Sequence, residues 1–338
     1  MLIPNKATRT SLRPATVHVI ACLLAATIPA SSSVAMGPNT VIKGKIATVD
    51  TREPVGGALV KVQGFGKVRT NARGRYVLRT RTPPAGAVNV FIRASGHVRR
   101  KTSIMAPGPG GRAKADWNLL PRASDGFDVR LFNSVARPSG VSRWETLPTI
   151  RVVSNRLACR GGLLAPDSGS CPDWVGTTSP VSPKLLGWIR SAAAQMRTLA
   201  SVSGKRPRVV EVQLAPGRSF GREELLAPNV LTLGAVEGDF AAVFPLFDPA
   251  QGAIGTRAAL FAESGSTDER SVRFRVARGL GFYGRLDETA CNSVMGRGLS
   301  SFFCDASVAV PSALDEAMGR ALYSRAIGNT APDRDPVE

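Results

Sequence analysis

Histidine is nearly missing from this chain: among 338 residues there are two, His18 and His97. A metal site built on three histidines therefore cannot be assembled within one copy, and a Ser-His-Asp triad could draw only on His97 once a leader is removed. No G-x-S-x-G elbow occurs either. Aromatic residues make up 6%, and the basic residues are spread along both halves instead of interleaving with aromatics. Dedicated nucleic-acid binding is thus not supported. Beyond the first 35 residues no run approaches the ~20 apolar residues of a membrane-spanning helix, so no transmembrane segment is expected in the mature chain. Acidic residues are scarce, 25 against 44 Lys and Arg, giving a net charge of +19. Such an excess favours anionic partners such as acidic glycans, envelope polymers or lipid headgroups.

What is present begins with an export signal. Lys6, Arg9 and Arg13 form a positive region without acids, Ala15 to Ala30 is apolar, and Ser33-Val34-Ala35 is a small-x-small cleavage site. Residues 1–35 are expected to be a signal peptide, which places the mature protein in the periplasm or outside the cell. Cleavage there removes three basic residues, lowering the net charge from +19 to +16. It also removes Cys22 and leaves Cys159, Cys171, Cys291 and Cys304. An even number in an exported chain argues for two disulfides with three possible connectivities, of which the local pairs 159–171 and 291–304 are favoured. Nothing in their spacing resembles the C-x-x-C knuckles of a zinc ribbon.

From Val41 to about Pro121 short apolar stretches alternate with turn residues, the pattern of a small antiparallel β-sandwich. Val41–Val49, Ala58–Val62, Tyr76–Leu78, Val88–Ile92 and Ala115–Leu119 read as strands. Thr70 to Gly74 reads as a turn and Ala106 to Gly111 as a loop within the module. Gly44, Pro54, Gly57, Ala58, Val60, Val62, Thr70, Asn71, Gly74, Tyr76 and Leu78 follow in order the motif pattern of the carboxypeptidase regulatory-like domain, which this segment resembles. That resemblance implies a prealbumin-like sandwich over residues 40–121. It implies no carboxypeptidase activity, since such modules serve as folding partners, spacers or binders. Tyr76 and Trp117 are expected to pack in the core or on the sheet face, and His97 to sit at a loop or strand end.

After a linker at Pro121 to Gly126, residues 127–328 mix helices and strands, with 329–338 expected as a disordered tail. Trp144 to Val153 ends in a buried strand. Ser182-Pro183 opens an amphipathic helix carrying Leu185, Ile189, Ala192, Ala193 and Met196, while Val209–Leu214, Val230–Leu233 and Arg257–Ala262 are further strands. Phe274 to Gly284 reads F-R-V-A-R-G-L-G-F-Y-G, with Ser293-Val294-Met295-Gly296 downstream. Val272, Phe274 and Val276 alternate with arginines as a strand would, yet Val272, Val276 and Leu280 also fit a helical stripe. The order of the downstream motifs favours a helix: after the methionine segment, Pro311-Ser312 to Asp315 opens a last helix with a capping box.

This stretch resembles the helix, glycine turn and Met-turn of a metzincin or matrixin-like metalloprotease, H-E-x-x-H-x-x-G-x-x-H. Laid on this chain, the ligand positions fall on Phe274, Arg278 and Gly284, and the general base falls on Arg275. Only Gly281 and Met295 match. The resemblance therefore implies two domains, an all-β sandwich followed by an α+β zincin-like domain, with no metal and no other cofactor. Phenylalanine and glycine offer no lone pair, and guanidinium stays protonated. A guanidinium ~4 Å from a dication at an effective dielectric of ~20 would cost ~8 kcal/mol. Arg278 is a candidate for holding a carboxylate or phosphate instead. The expected function is an exported, non-catalytic binding or structural protein whose partner is another protein or an anionic envelope glycan. The alternatives are a hydrolase using carboxylates among Asp239, Asp248, Asp287 and Glu288, or a basic binder of anionic polymers.

Overall fold

In the computed structural model the described residues are 39–160, 171, 173–202, 204–237, 242–244, 253–263, 267–283, 293–295 and 311–336. The signal peptide, Cys291, Cys304, Gly284, Asp239, Asp248, Asp287 and Glu288 lie outside them.

Eight strands form the first half: β1 Thr40–Thr48, β2 Leu59–Val62, β3 Gly66–Arg69, β4 Arg75–Thr80, β5 Ala87–Arg93, β6 Arg100–Met105, β7 Arg112–Lys114 and β8 Trp117–Leu119. They pair into two four-stranded sheets, β4-β1-β7 with β8 also on β1, and β3-β2-β5-β6. Strict alternation drives the pairing: Ile42, Ile46, Tyr76 and Leu78 from one sheet meet Val60, Val62, Val90 and Ile92 from the other in a shared core. Tyr76 is buried, its hydroxyl donates to the Ala115 carbonyl at 2.6 Å, and Trp117 stacks on its ring at 5.8 Å. Both aromatics are packing residues, as the sequence predicts. Gly44 is dictated by the same contact, because a Cβ there would lie 1.8 Å from the Ala115 oxygen. His97 sits between β5 and β6, bridged to Pro121.

The second half runs α1 Val129–Val135, β9 Arg143–Trp144, β10 Thr149–Val153, β11 Asn155–Cys159, β12 Asp173–Pro180, α2 Pro183–Met196, β13 Arg208–Val212, β14 Ser219–Gly221, α3 Arg222–Leu225, β15 Val230–Val236, β16 Ala242–Phe244, β17 Ala253–Ile254, β18 Arg257–Ala262, α4 Glu269–Gly279 and α5 Ala313–Tyr323. Strands β13, β10, β15 and β18 lie side by side and parallel, with β16 antiparallel at the β18 edge. β15 and β18 are buried along their length, as parallel strands covered on both faces must be. One face carries α2 and α4: Ile189, Met196, Val272 and Val276 pack against Ile150, Leu231, Leu233 and Phe261. The other face is covered where β11 turns back into β12 and β14, through Trp174, Leu214, Phe220 and Leu260. Cys159 and Cys171 join the two arms of the β11–β12 hairpin in a disulfide, with Cα atoms 5.7 Å apart. This is one of the two local pairs favoured from sequence.

The expectation of a disordered tail over 329–338 is corrected for residues 329–336. Asp333 and Asp335 are buried, and the segment adds to the edge of β6, with the Lys101 amide donating to the Asp333 carbonyl and the Asp335 amide to the Lys101 carbonyl. The cause is charge. Asp333 pairs with Arg325 at 2.7 Å and Arg137 at 3.6 Å, and Asp335 pairs with Arg100 at 3.2 Å. Arg325 also donates to the Asn118 carbonyl, and Arg100 to the Ser324 carbonyl, so the network stitches the sandwich to the chain's last helix. A composition of alternating acids, prolines and arginine reads as a solvated end; the partner arginines Arg100 and Arg137, far off in sequence, together with the nearby Arg325, account for the burial.

Candidate functional site

Helix α4 is fixed at its start by Asp268, whose carboxylate accepts from the Ser271 amide at 2.7 Å while the Ser271 hydroxyl accepts from the Asp268 amide. Its apolar stripe, Val272, Val276 and Leu280, is fully buried, which settles the competition between the two periodicities in favour of the helix. Arg273, which the strand pattern would have placed outward, is buried on the helix and pairs with Glu269 at 2.5 Å. The last turn is closed by side chains from elsewhere. Trp144 donates to the Gly279 carbonyl and Tyr323 to the Leu280 carbonyl, each at 2.8 Å, satisfying acceptors that a helix end leaves unpaired. Gly281 then turns with φ +117°, and a Cβ there would press on Leu322 and the Ser142 carbonyl at 3.0 Å. Glycine is required at this point of the chain.

Phe274 and Arg278 stand one turn apart on the same half-buried side of α4, and the guanidinium carbon of Arg278 lies 5.6 Å from the Phe274 ring centre. The two side chains at the would-be ligand positions therefore occupy each other. Phe274 packs against the large core that contains Met295. Arg275 and Arg278 both have their proton affinity lowered, first by burial. Arg275 is further lowered by the charge of Arg278, and Arg278 by that of Arg257. Arg257 in turn sits over the Tyr283 ring at 5.0 Å. Burial pushes the Tyr283 phenol up to about 12, against the pull of Arg257 and Ser142. Three guanidinium groups thus share one neighbourhood.

Met295 is fully buried and held from below. The Asp315 carboxylate, itself fully buried, accepts from the Ser293 hydroxyl at 2.5 Å, from the Val294 amide at 3.1 and 3.2 Å, and from the Ser312 amide and hydroxyl at 2.9 Å. Burial raises the Asp315 carboxyl above its ordinary value despite these donors. One carboxylate therefore caps α5 and anchors the turn bearing Met295. From sequence it was legible only as part of a capping box.

The donor chemistry at these positions does not fit zinc. A benzene ring and a guanidinium cannot coordinate a cation, and Arg275 and Arg278 add positive charge where a dication would sit. Among the described residues, no group of three or more His, Cys, Asp or Glu is arranged to hold a metal ion. The charge that Arg275 and Arg278 place here repels a cation and attracts an anion. The sequence reading missed Arg257 and Tyr283 as members of this neighbourhood. Arg257 opens a buried strand, which was the available signal: a cation at such a position needs a ring or an anion beside it.

No protein-family model matches the chain. No curated protein matches it either. Among solved structures, it is similar to catechol 1,2-dioxygenase from Pseudomonas arvilla C-1, with 18% identity over 30% of this chain and 56% of that one, at a TM-score of 0.22. It is also similar to 5-hydroxyisourate hydrolase of Klebsiella pneumoniae, with 19% identity over 25% of this chain and 92% of that one, at 0.21. A Bacteroides uniformis ATCC 8492 protein described as carbohydrate binding matches at 21% identity over 25% of this chain and 43% of that one, at 0.21. The chain spans little more than half the length of the dioxygenase. At these scores the likenesses carry no argument about function, and the sandwich rests on its own hydrogen-bond register.

Proposed function

We propose that this is an exported, non-catalytic binding protein in which a carboxypeptidase regulatory-like sandwich is joined to a pseudo-metalloprotease body. The observation that carries the reading is the geometry of α4. The helix ends in a glycine turn, lies against a core that includes a buried methionine, and is succeeded by a capped last helix, all in the order the metzincin resemblance calls for. On it, Phe274 and Arg278 stand one turn apart where paired ligands would be, filled by a ring and a cation. The four parallel strands with an antiparallel edge strand beside α4 are in keeping with that body.

With no lone pairs at Phe274 and Arg278, zinc and the water it would activate cannot be held there, and the capacity this reading assigns is binding. The charge of the chain directs it to anions. The test is a direct one on the purified mature protein. Elemental analysis for bound transition metal, together with hydrolysis of casein and of fluorogenic peptides, is expected to return less than a tenth of an equivalent of metal and no turnover above buffer. Stoichiometric metal with chelator-sensitive hydrolysis would overturn the reading.

A further inference from the structure

The outward face of the β3-β2-β5-β6 sheet sorts charge in a way composition does not show. Across the sheet the register places Lys67 opposite Lys61, Lys61 opposite Phe91, Phe91 opposite Lys101, and Lys101 against Arg334 of the last segment. One row therefore reads cation, cation, ring, cation, cation. The neighbouring row places Arg69 opposite Leu59 and Leu59 opposite Arg93. Directly opposed side chains in such ladders are roughly 5 Å apart, and like charges so placed repel. A solvated face does not need that arrangement, and a fold selected for stability alone would break it with an acid.

The two acids of the last described segment are turned away from this surface. In the last segment Asp333 and Asp335 point inward to Arg325, Arg137 and Arg100, and Arg334 between them is exposed. A groove of about 670 Å3 runs over the face, lined by Lys61, Phe91, Arg93, Arg99, Lys101 and Arg334. A second of about 560 Å3 shares Arg93 and Arg99 and continues to Arg69 and Arg122. Among the described residues no carboxylate lines either one. Arg69 and Arg122 are held by backbone carbonyls, of Gly57 and His97, which fix their positions, and no carboxylate among the described residues pairs with either. Phe91, 44% exposed, stands in the middle of the row with the Lys101 ammonium 5.9 Å from its ring centre.

We propose that this face binds an acidic polysaccharide, a linear chain of sugars bearing carboxylates or sulfates, with one sugar ring seated on Phe91 and its acid groups on the flanking cations. The single ring decides between polymers. Single-stranded nucleic acid is held by several aromatics stacking successive bases, and this face offers one. A pyranose can lay its apolar face on a single ring, while acid groups along the chain accept charge-assisted hydrogen bonds from the flanking cations. The inference supplies a partner for the binding function proposed above and is independent of the vestigial metal positions on α4.

The test uses the full mature chain and polygalacturonate, with neutral dextran and a single-stranded DNA oligonucleotide of matched charge as competitors. Binding is expected to polygalacturonate and not dextran, falling steeply between low and physiological salt. Lys61→Glu with Arg93→Glu is expected to weaken it about tenfold or more, and Phe91→Ala about fivefold with no change of charge. The control pair Arg75→Glu with Arg79→Glu, exposed on the opposite sheet, makes the same change of net charge and is expected to leave affinity within about twofold. On the wild type, bound polymer is expected to protect Lys61, Lys67 and Lys101 from acetylation. Equal loss from both charge pairs, no effect of Phe91→Ala, tighter binding of the oligonucleotide, absence of binding at low salt, or unprotected lysines would each overturn the proposal. A positive result in the metal assay above would leave it standing.

Discussion

At the scale of single residues, the chain puts cations in two kinds of place, and their surroundings separate their roles. Arg137 and Arg325 are buried and face Asp333, so their charge is spent inside the molecule. For Asp333, burial alone would raise the carboxyl, but Arg325, Arg100 and Arg137 outweigh it and the net shift is downward. A carboxylate with a lowered folded-state pKa contributes stability that is fully present above its unfolded value near ~3.9. The contribution is lost as pH falls through the lower folded value. Asp333→Ala leaves these arginines buried without their partner and is expected to cost about 3–5 kcal/mol at pH 7. Asp333→Asn is expected to make urea stability less steeply dependent on pH between 4 and 2 than in the wild type. A wild-type acid limb unchanged by the substitution would contradict this assignment. None of it was legible beforehand, because Asp333 meets Arg100 and Arg137 across some two hundred residues of sequence.

At the scale of elements, much was legible where one period dominated. β2, β5 and β18 fall where alternation or an apolar run places them, and α2 and α5 start at the Ser182 and Ser312 caps their sequences announce. Strands β3 and β12 escaped notice. β3 carries three exposed residues out of four, and β12 contains Gly176, demanded by close packing since a Cβ would approach Leu214 to 2.8 Å. α4 carried both periods at once; the order of the downstream motifs favoured the helix, and Val272 and Val276 are buried against the sheet as that choice requires. The β11–β12 hairpin owes part of its stability to the Cys159–Cys171 link, which closes a short loop. Replacing both cysteines by serine is expected to lower unfolding free energy by about 3 kcal/mol. Denaturant melts of the variant and of the wild type, with and without reductant, check this. An unchanged midpoint would show that the hairpin is held by packing of Trp174 and Phe220 alone.

At the scale of the whole molecule, the sandwich and the helix-covered sheet share one polar seam, in which Arg100, Arg325 and the last segment reach across to each other. The seam leaves two separate positively charged regions: the α4 neighbourhood, where Arg275, Arg278 and Arg257 crowd together, and the outer sheet face with its rows of lysine and arginine. The proposed function stands or falls on α4 presenting a metal-site geometry from which the donors are gone. That geometry is probed by the variant Phe274→His, Arg275→Glu, Arg278→His, Gly284→His, compared with wild type for zinc content after purification and dialysis, with circular dichroism to verify folding. About one zinc per folded variant chain is expected, and none in the wild type. A variant that folds as the wild type does and takes up no zinc would refute the vestigial site.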